Sequence, residues 1–93
     1  MMSLPAITVV IPTYNRARTL LPRALGSVLA QTFVDFELIV VDDCSTDDTA
    51  AVVAGLADAR VRYIRHERNM KRAAARNTGI KQARGTYVAF LDD

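Results

Sequence analysis

The chain has 93 residues, of which 51% are hydrophobic and 24% charged, and its formal net charge is +2. A chain of this length forms one core that buries roughly 60–65% of its extended surface, which excludes a second domain. The composition excludes a disordered tail, no apolar run nears the ~20 residues that span a bilayer, and residues 1–5 carry no signal-peptide pattern.

Taken in order, apolar runs of strand length alternate with stretches of helical period. Ile7-Thr8-Val9-Val10-Ile11 is β-branched throughout and stops at Pro12, so it is predicted as a buried strand. Leu21, Leu25, Val28 and Leu29 recur on one face of a helix, with Thr19 as its cap and Pro22 in its first turn. Leu38-Ile39-Val40-Val41 is a second buried strand, stopped by Asp42-Asp43. Ser45 and Asp48 have capping-box spacing and open a helix through about Leu56. Val61 to Arg65 mixes apolar and basic residues, as an outer strand with one wet face does. The alanine-rich stretch from about Met70 to Arg84 favours helix, with Gly85 as its C-terminal cap. Gly79 inside it costs ~1 kcal/mol against alanine, which a close approach of helix to sheet would explain. Tyr87 to Leu91 is the fourth strand.

Four strands alternating with three helices make an α/β, Rossmann-like parallel sheet with helices on both faces. Ligands of such sheets sit outside the C-terminal ends of the strands, at the switch in strand order. The segments leaving those ends are Pro12-Thr13-Tyr14-Asn15, Asp42-Asp43-Cys44-Ser45, the residues after Arg65, and Asp92-Asp93. Polar and charged residues gather at all four.

Charge is also segregated. From Asp35 to Asp58 every charged residue is acidic, whereas from Arg60 to Arg76 seven cations face Glu67 alone. This pattern suits either two solvated faces or a site that presents carboxylates and cations to a phosphorylated ligand. Pro12 to Arg16 is an ordinary turn or a shelf for a base and ribose, with Tyr14 stacking or Asn15 bonding. One of Asp42 and Asp43 bonds local backbone N–H groups, and the other could accept from a ribose or a pyrimidine N–H. No G-x-G-x-x-G occurs and the first loop has no glycine, which argues against a dinucleotide.

Arg72 and Arg76 lie four apart and can converge on one anion, while Lys71 points elsewhere. No continuous basic surface or recognisable module points to nucleic acid. Asp92-Asp93 ends the fourth strand with hard oxygen ligands suited to Mg²⁺ or Mn²⁺. His66, the sole histidine, is expected on the surface. Cys44 is assigned to packing; as the sole cysteine it forms no internal disulfide, which suits a reducing, cytoplasmic compartment.

Val9-Val10-Ile11-Pro12-Thr13-Tyr14-Asn15-Arg16, Ser27 to Thr32, Val40-Val41-Asp42-Asp43-Cys44-Ser45-Thr46-Asp47, Ala75-Arg76-Asn77-Thr78-Gly79-Ile80 and Ala83 to Asp93 together resemble family 2 glycosyltransferases. The resemblance runs over nearly the whole chain, in the family's order and spacing. It implies a GT-A fold whose N-terminal half binds an activated sugar's nucleotide, so that residues 1–93 are the donor-binding half of a longer domain. It further implies that Pro12, Thr13 and Tyr14 line the base pocket, that Asp43 contacts the base, and that Arg76 lies in the donor pocket. Asp92 would open the Asp-x-Asp motif for ribose and metal. With Asp93 it forms an incomplete divalent-metal motif, whose principal ligand falls later, as does the catalytic base. Similar proteins often carry glycine after Asn69, where this chain has Met70-Lys71-Arg72.

The function so implied is inverting, metal-dependent transfer from a nucleotide-diphospho-sugar, a UDP-sugar, to a hydroxyl of a glycan, lipid or other acceptor. The chain alone is expected to be inactive. The full-length protein is expected in the cytoplasm, with the inner face of the membrane as an alternative place. A nucleotidyltransferase would need a glycine- and lysine-bearing first loop, which is missing. The alternative is a non-catalytic nucleotide-binding or interaction module, in which the bare edge of strand four pairs with a partner or a second copy.

Overall fold

The structure is a computed structural model and describes residues 4–93. The absence of a signal-peptide pattern in residues 1–5 therefore concerns in part residues 1–3, outside those described. The elements are β1 (Ile7–Thr13), α1 (Leu20–Leu29), β2 (Phe36–Asp42), α2 (Thr49–Ala54), β3 (Val61–Arg65), α3 (Lys71–Gln82) and β4 (Tyr87–Phe90). All strands pair in parallel, in the order β3-β2-β1-β4. The predicted alternation and the α/β class are thus observed, and the strand order switches between β1 and β4. No helix among the described residues is long and apolar enough to cross a membrane.

Alternation along the central strands sends side chains to two cores. On one face Ile11, Leu38 and Val40 pack with Leu21, Ala24, Leu25 and Val28 of α1 and with Val53 of α2. On the other, Val10, Ile39 and Val41 meet Ala75 of α3. Every residue of β2 is buried, as its uninterrupted apolar run requires of a strand covered on both faces. By contrast every residue of β4 is exposed, and β1 is its only paired neighbour among the described residues.

The second core is built for proximity. A Cβ on Gly79 would lie 2.8 Å from Val10 Cγ2 and closer still to Cγ1, so the glycine lets α3 sit directly on β1. This is the close approach expected from its position. Gly85 has a different role from the one expected. The helix ends at Gln82 with Ala83 as its extended cap, and no glycine has a positive φ. A side chain at Gly85 would instead strike Thr8 N at 2.5 Å, so the residue is glycine because the returning chain crosses the start of β1. Two other expected caps are also absent. Thr19 makes no capping hydrogen bond and its hydroxyl only approaches Arg16 O at 3.5 Å. The Ser45–Asp48 capping box does not form, because Asp47 takes its place. Asp47 Oδ1 accepts from Thr49 N at 3.1 Å and from the Thr49 hydroxyl, and its Oδ2 accepts from Ala17 N at 3.1 Å.

At the N-terminal end of the strands, beneath the end of α3, lies a buried carboxylate. Glu37 Oε2 accepts from the Thr8 hydroxyl and from Arg84 N, both at 2.6 Å, and Oε1 faces Arg62 Nη1 at 3.0 Å. Arg62 Nη1 also donates to Gln82 O at 2.8 Å, placing a cation on the last turn of α3. Burial pushes the Glu37 carboxyl up. The bonds from Thr8, Arg84 N and Arg62 outweigh that effect and hold it below its ordinary 4.5.

Two predictions follow from this packing. Gly79→Ala overpacks the α3–β1 contact and should lower stability by about 1–3 kcal/mol, read from the urea midpoint, with partial rescue in the Gly79→Ala, Val10→Ala double variant. Glu37, with its folded-state value depressed, contributes stability that is present above pH 4.5 and is lost as pH falls through the folded value. Glu37→Gln should therefore be less stable than wild type at neutral pH and should lose less between about pH 5 and pH 3 in acid titrations followed by circular dichroism.

Candidate donor-binding site

Each parallel strand delivers its following loop to the same end of the sheet. There Pro12 and Thr13 at the end of β1, Tyr14 and Arg16 just after it, Asp43 after β2, Asn69, Lys71, Arg72 and Ala75 before and within the first turns of α3, and Asp93 after β4 line one open cavity of about 230 Å³. Of the residues singled out in the sequence, Pro12, Thr13, Tyr14, Asp43, Arg72 and Asp93 thus share one cleft, whereas Asn15, Arg76 and Asp92 are not among its lining residues. Tyr14 is 44% exposed, an accessible ring at its rim.

Asp42 and Asp43 divide the labour that their adjacency suggested. Asp42 turns to the structure: Oδ1 accepts from Ser45 N at 2.8 Å and Oδ2 from the Tyr63 hydroxyl. Burial first, and then the bond to Asp42, push the Tyr63 phenol well above its ordinary value. Asp43 turns to the cavity. Its Oδ1 accepts from Met70 N at 2.7 Å and lies 2.9 Å from His66 Nδ1, and its Oδ2 accepts from Lys71 N at 2.8 Å. Burial raises the Asp43 carboxyl, but the Met70 N–H, His66 and the Lys71 N–H more than offset it and keep the group below 3.8. Asp43 is therefore an ionised, acceptor-only group at the cavity wall.

His66 corrects an expectation: it is 8% exposed instead of lying on the surface. Its Nδ1 meets Asp43, and its Nε2 lies 2.8 Å from Thr78 Oγ1. Cys44 corrects another. It is only partly buried, holds a left-handed backbone (φ 66°), and its thiol lies 3.6 Å from Glu67 O, so turn geometry and not packing accounts for its place. Lys71 joins the cavity wall, contrary to the direction expected of it. Its φ of 75° is the left-handed conformation that glycine adopts freely. A lysine is held there because its N–H is fixed by the Asp43 carboxylate.

Asn15, also left-handed at φ 53°, lies behind the cavity wall. Its N–H donates to Ser45 Oγ at 2.8 Å, and its Oδ1 accepts from Thr46 N at 2.7 Å and Asp47 N at 3.3 Å. The Asn15 side chain, read from the sequence as bonding a base or ribose, is thus committed through its oxygen to joining the first loop to the second.

The arginine pair does converge on one anion, and that anion is Asp92. Arg76 Nη2 lies 3.1 Å and Arg72 Nη1 3.7 Å from its carboxylate. Arg76 also lies over the Phe90 ring, 5.8 Å from its centroid, and its Nε is buried without a partner. Asp93 accepts from the Thr13 hydroxyl and lies 3.7 Å from Arg16 Nε. Arg16 closed the Pro12 to Arg16 segment read from the sequence as a shelf, without a role for its guanidinium.

The two closing aspartates fit a divalent cation in part. Their donors are hard oxygens. The Asp92 side chain keeps 51% of its surface exposed, whereas that of Asp93 keeps 1%. Among the described residues no group of three or more potential ligands forms. Mg²⁺ and Mn²⁺ need only one or two protein carboxylates when phosphate and water supply the rest, so Asp92 is the residue here that could take part.

Known proteins of similar sequence and fold identify the family. The model of the family described as "Glycosyl transferase family 2" matches residues 8–93. A succinoglycan biosynthesis protein, ExoO of Rhizobium meliloti, is 50% identical over 88 residues, covering 95% of this chain and 25% of that protein. The crystal structure of S. aureus TarS 1-349 in complex with UDP superposes with a TM-score of 0.85 at 36% identity, over 92% of this chain and 26% of that one. The mannosyltransferase PcManGT from Pyrobaculum calidifontis, in complex with GDP-Man and Mn²⁺, also gives 0.85, at 29% identity, over 97% of this chain and 28% of its own. The chain thus spans about a quarter of the length of these proteins. With strand order, loop placement and sequence in agreement, the chain belongs to glycosyl transferase family 2 and has the GT-A fold.

Proposed function

We propose that residues 1–93 are the donor-binding half of an inverting glycosyltransferase, and that the cavity takes the nucleotide of a UDP-sugar. The observation that carries this proposal is the acceptor-only Asp43 carboxylate facing a cavity whose other charged lining side chains are Arg16, Lys71, Arg72 and Asp93. Uracil presents a ring N–H to such a carboxylate, whereas cytosine presents a lone pair and is repelled. Guanine also presents a ring N–H to the carboxylate, and one structural relative is in complex with GDP-Man. Another, in complex with UDP, supports the uracil reading.

In this proposal Pro12, Thr13 and Tyr14 form the base shelf and Asp43 reads the base. Asn15 holds the shelf from behind. Arg76, with Arg72, supplies cations for the diphosphate, and Asp92 serves ribose and metal. A diphosphate that engaged the two guanidinium groups would release Asp92 from its present ion pairs. A divalent cation at Asp92 would offset charge on the departing nucleoside diphosphate. The Mn²⁺ complex of a structural relative favours this assignment. The acceptor is a hydroxyl compound, and its deprotonation falls to an acidic residue that is not among those assigned here.

Isothermal titration of the 93-residue chain should show UDP binding more tightly than CDP or inorganic phosphate, and more tightly still with Mn²⁺. Arg76→Ala should weaken UDP by about tenfold, the effect of one lost charge-assisted hydrogen bond. Equal affinities for UDP and phosphate would refute the base pocket. A radiolabelled UDP-sugar incubated with the chain and hydroxyl acceptors should yield no transfer product. Transfer to any acceptor would overturn the assignment of the chain to the donor half alone.

A further inference from the structure

We infer that His66 is a positioning residue for nucleotide recognition: held by Thr78, it sets the Asp43 carboxylate so that a single lone pair faces the incoming base. This inference rests on the base-pocket proposal and adds a residue that does not line the cavity and so does not touch ligand.

The assignment follows from counting donors and lone pairs. A carboxylate oxygen has two acceptor positions. Asp43 Oδ1 has both occupied, by Met70 N at 2.7 Å and His66 Nδ1 at 2.9 Å. Oδ2 has one occupied, by Lys71 N at 2.8 Å, and therefore keeps one free. An ionised Asp43 cannot donate, so His66 Nδ1 carries the proton in this pair. In the neutral ring Nε2 is then an acceptor, and the Thr78 hydroxyl, 2.8 Å away, donates to it. With the ring in this neutral form, the three groups form a directed series: Thr78 O–H to His66 Nε2, and His66 Nδ1–H to Asp43 Oδ1.

Their place in the fold gives the series its use. His66 follows β3, Thr78 lies in α3, and Asp43 follows β2, so the imidazole spans three elements in a pocket where it is 8% exposed. Backbone N–H groups alone could hold the carboxylate at the head of α3. The imidazole adds the second donor on Oδ1, which closes that oxygen to any base. A carboxylate with one open position accepts from one ring N–H; one with two open positions can also admit water, and through water a base with the wrong edge.

The test uses the 93-residue chain with UDP and CDP as probes, titrated into wild type, His66→Ala, His66→Asn and Thr78→Val, each first checked for a cooperative thermal transition. Asparagine places an amide donor where Nδ1 stands. His66→Ala should weaken UDP and tighten CDP, because the loosened carboxylate admits water-bridged bases, so that the UDP-to-CDP ratio falls by about tenfold. His66→Asn should restore most of that ratio. Thr78→Val should lower it by a smaller factor, and ¹⁵N NMR of wild type should show the Nδ1–H tautomer. A ratio unchanged in His66→Ala, or an Nε2–H tautomer in wild type, would overturn the role of His66. A His66→Ala chain without a thermal transition transfers the decision to Thr78→Val and the tautomer. A wild type that binds UDP no better than CDP would instead remove the base-pocket proposal itself, and this inference with it.

Discussion

Two carboxylates, one on β2 and one just after it, hold the two ends of one helix, and the site depends on that arrangement. Glu37 and Asp43 both project toward α3 from β2 and its end. Glu37 accepts from Arg84 N just after the helix, and Asp43 accepts from Met70 N and Lys71 N at its head. The dimensions match. Six residues of strand span about 20 Å, and the twelve residues of α3 cover about 18 Å, with Ala83 and Arg84 extending beyond them. Helix and strand are commensurate, so both ends can be tied at once. Gly79 and Ala75 then allow the middle of the helix to lie against the sheet.

This clamp explains how a helix with few apolar residues keeps its arginines in place. α3 buries only Ala75 and Gly79, so area alone contributes little to its docking. Hydrogen bonds to ionised, buried acceptors replace that area, and each is stronger than a neutral bond. The helix is consequently set by polar contacts at its ends, which also form the wall of the cavity. Asp43 thus serves both packing and recognition. One oxygen is used up by the fold, and the other is left with a free position.

The loops at the site show the same economy of parts. Asn15, Cys44 and Lys71 all hold left-handed backbone without glycine. Asn15 and Lys71 are each fixed by a hydrogen bond to a neighbouring loop: Asn15 N–H to Ser45, and Lys71 N–H to Asp43. Cys44 sits between Asp42 and Ser45, whose own bond closes the turn. Strain of this kind persists where surrounding contacts over-determine the backbone, and here those contacts join the loops after β1 and β2 and the head of α3.

Strand and helix content, parallel pairing and the end of the sheet that carries the cleft were legible in the sequence, because each rests on local pattern. β-branched runs such as Ile7 to Ile11 bury on both faces whatever their partners, and the alternation with helical stretches dictates parallel pairing. Gly79 could be interpreted for the same reason: a glycine inside a helix needs a cause, and close approach is the common one. What the sequence could not decide was the partner of each polar side chain. Caps at Thr19, Ser45 and Gly85 satisfied local spacing rules, but Asp47 bonds the head of α2 in place of Ser45, and Gly85 is required by its close approach to the start of β1. His66 carries no local signal at all, since its two partners are 23 and 12 residues away. Local periodicity therefore determined the layers, while the choice of hydrogen-bond partner, which depends on distances between chain segments remote in sequence, was made only by the tertiary structure.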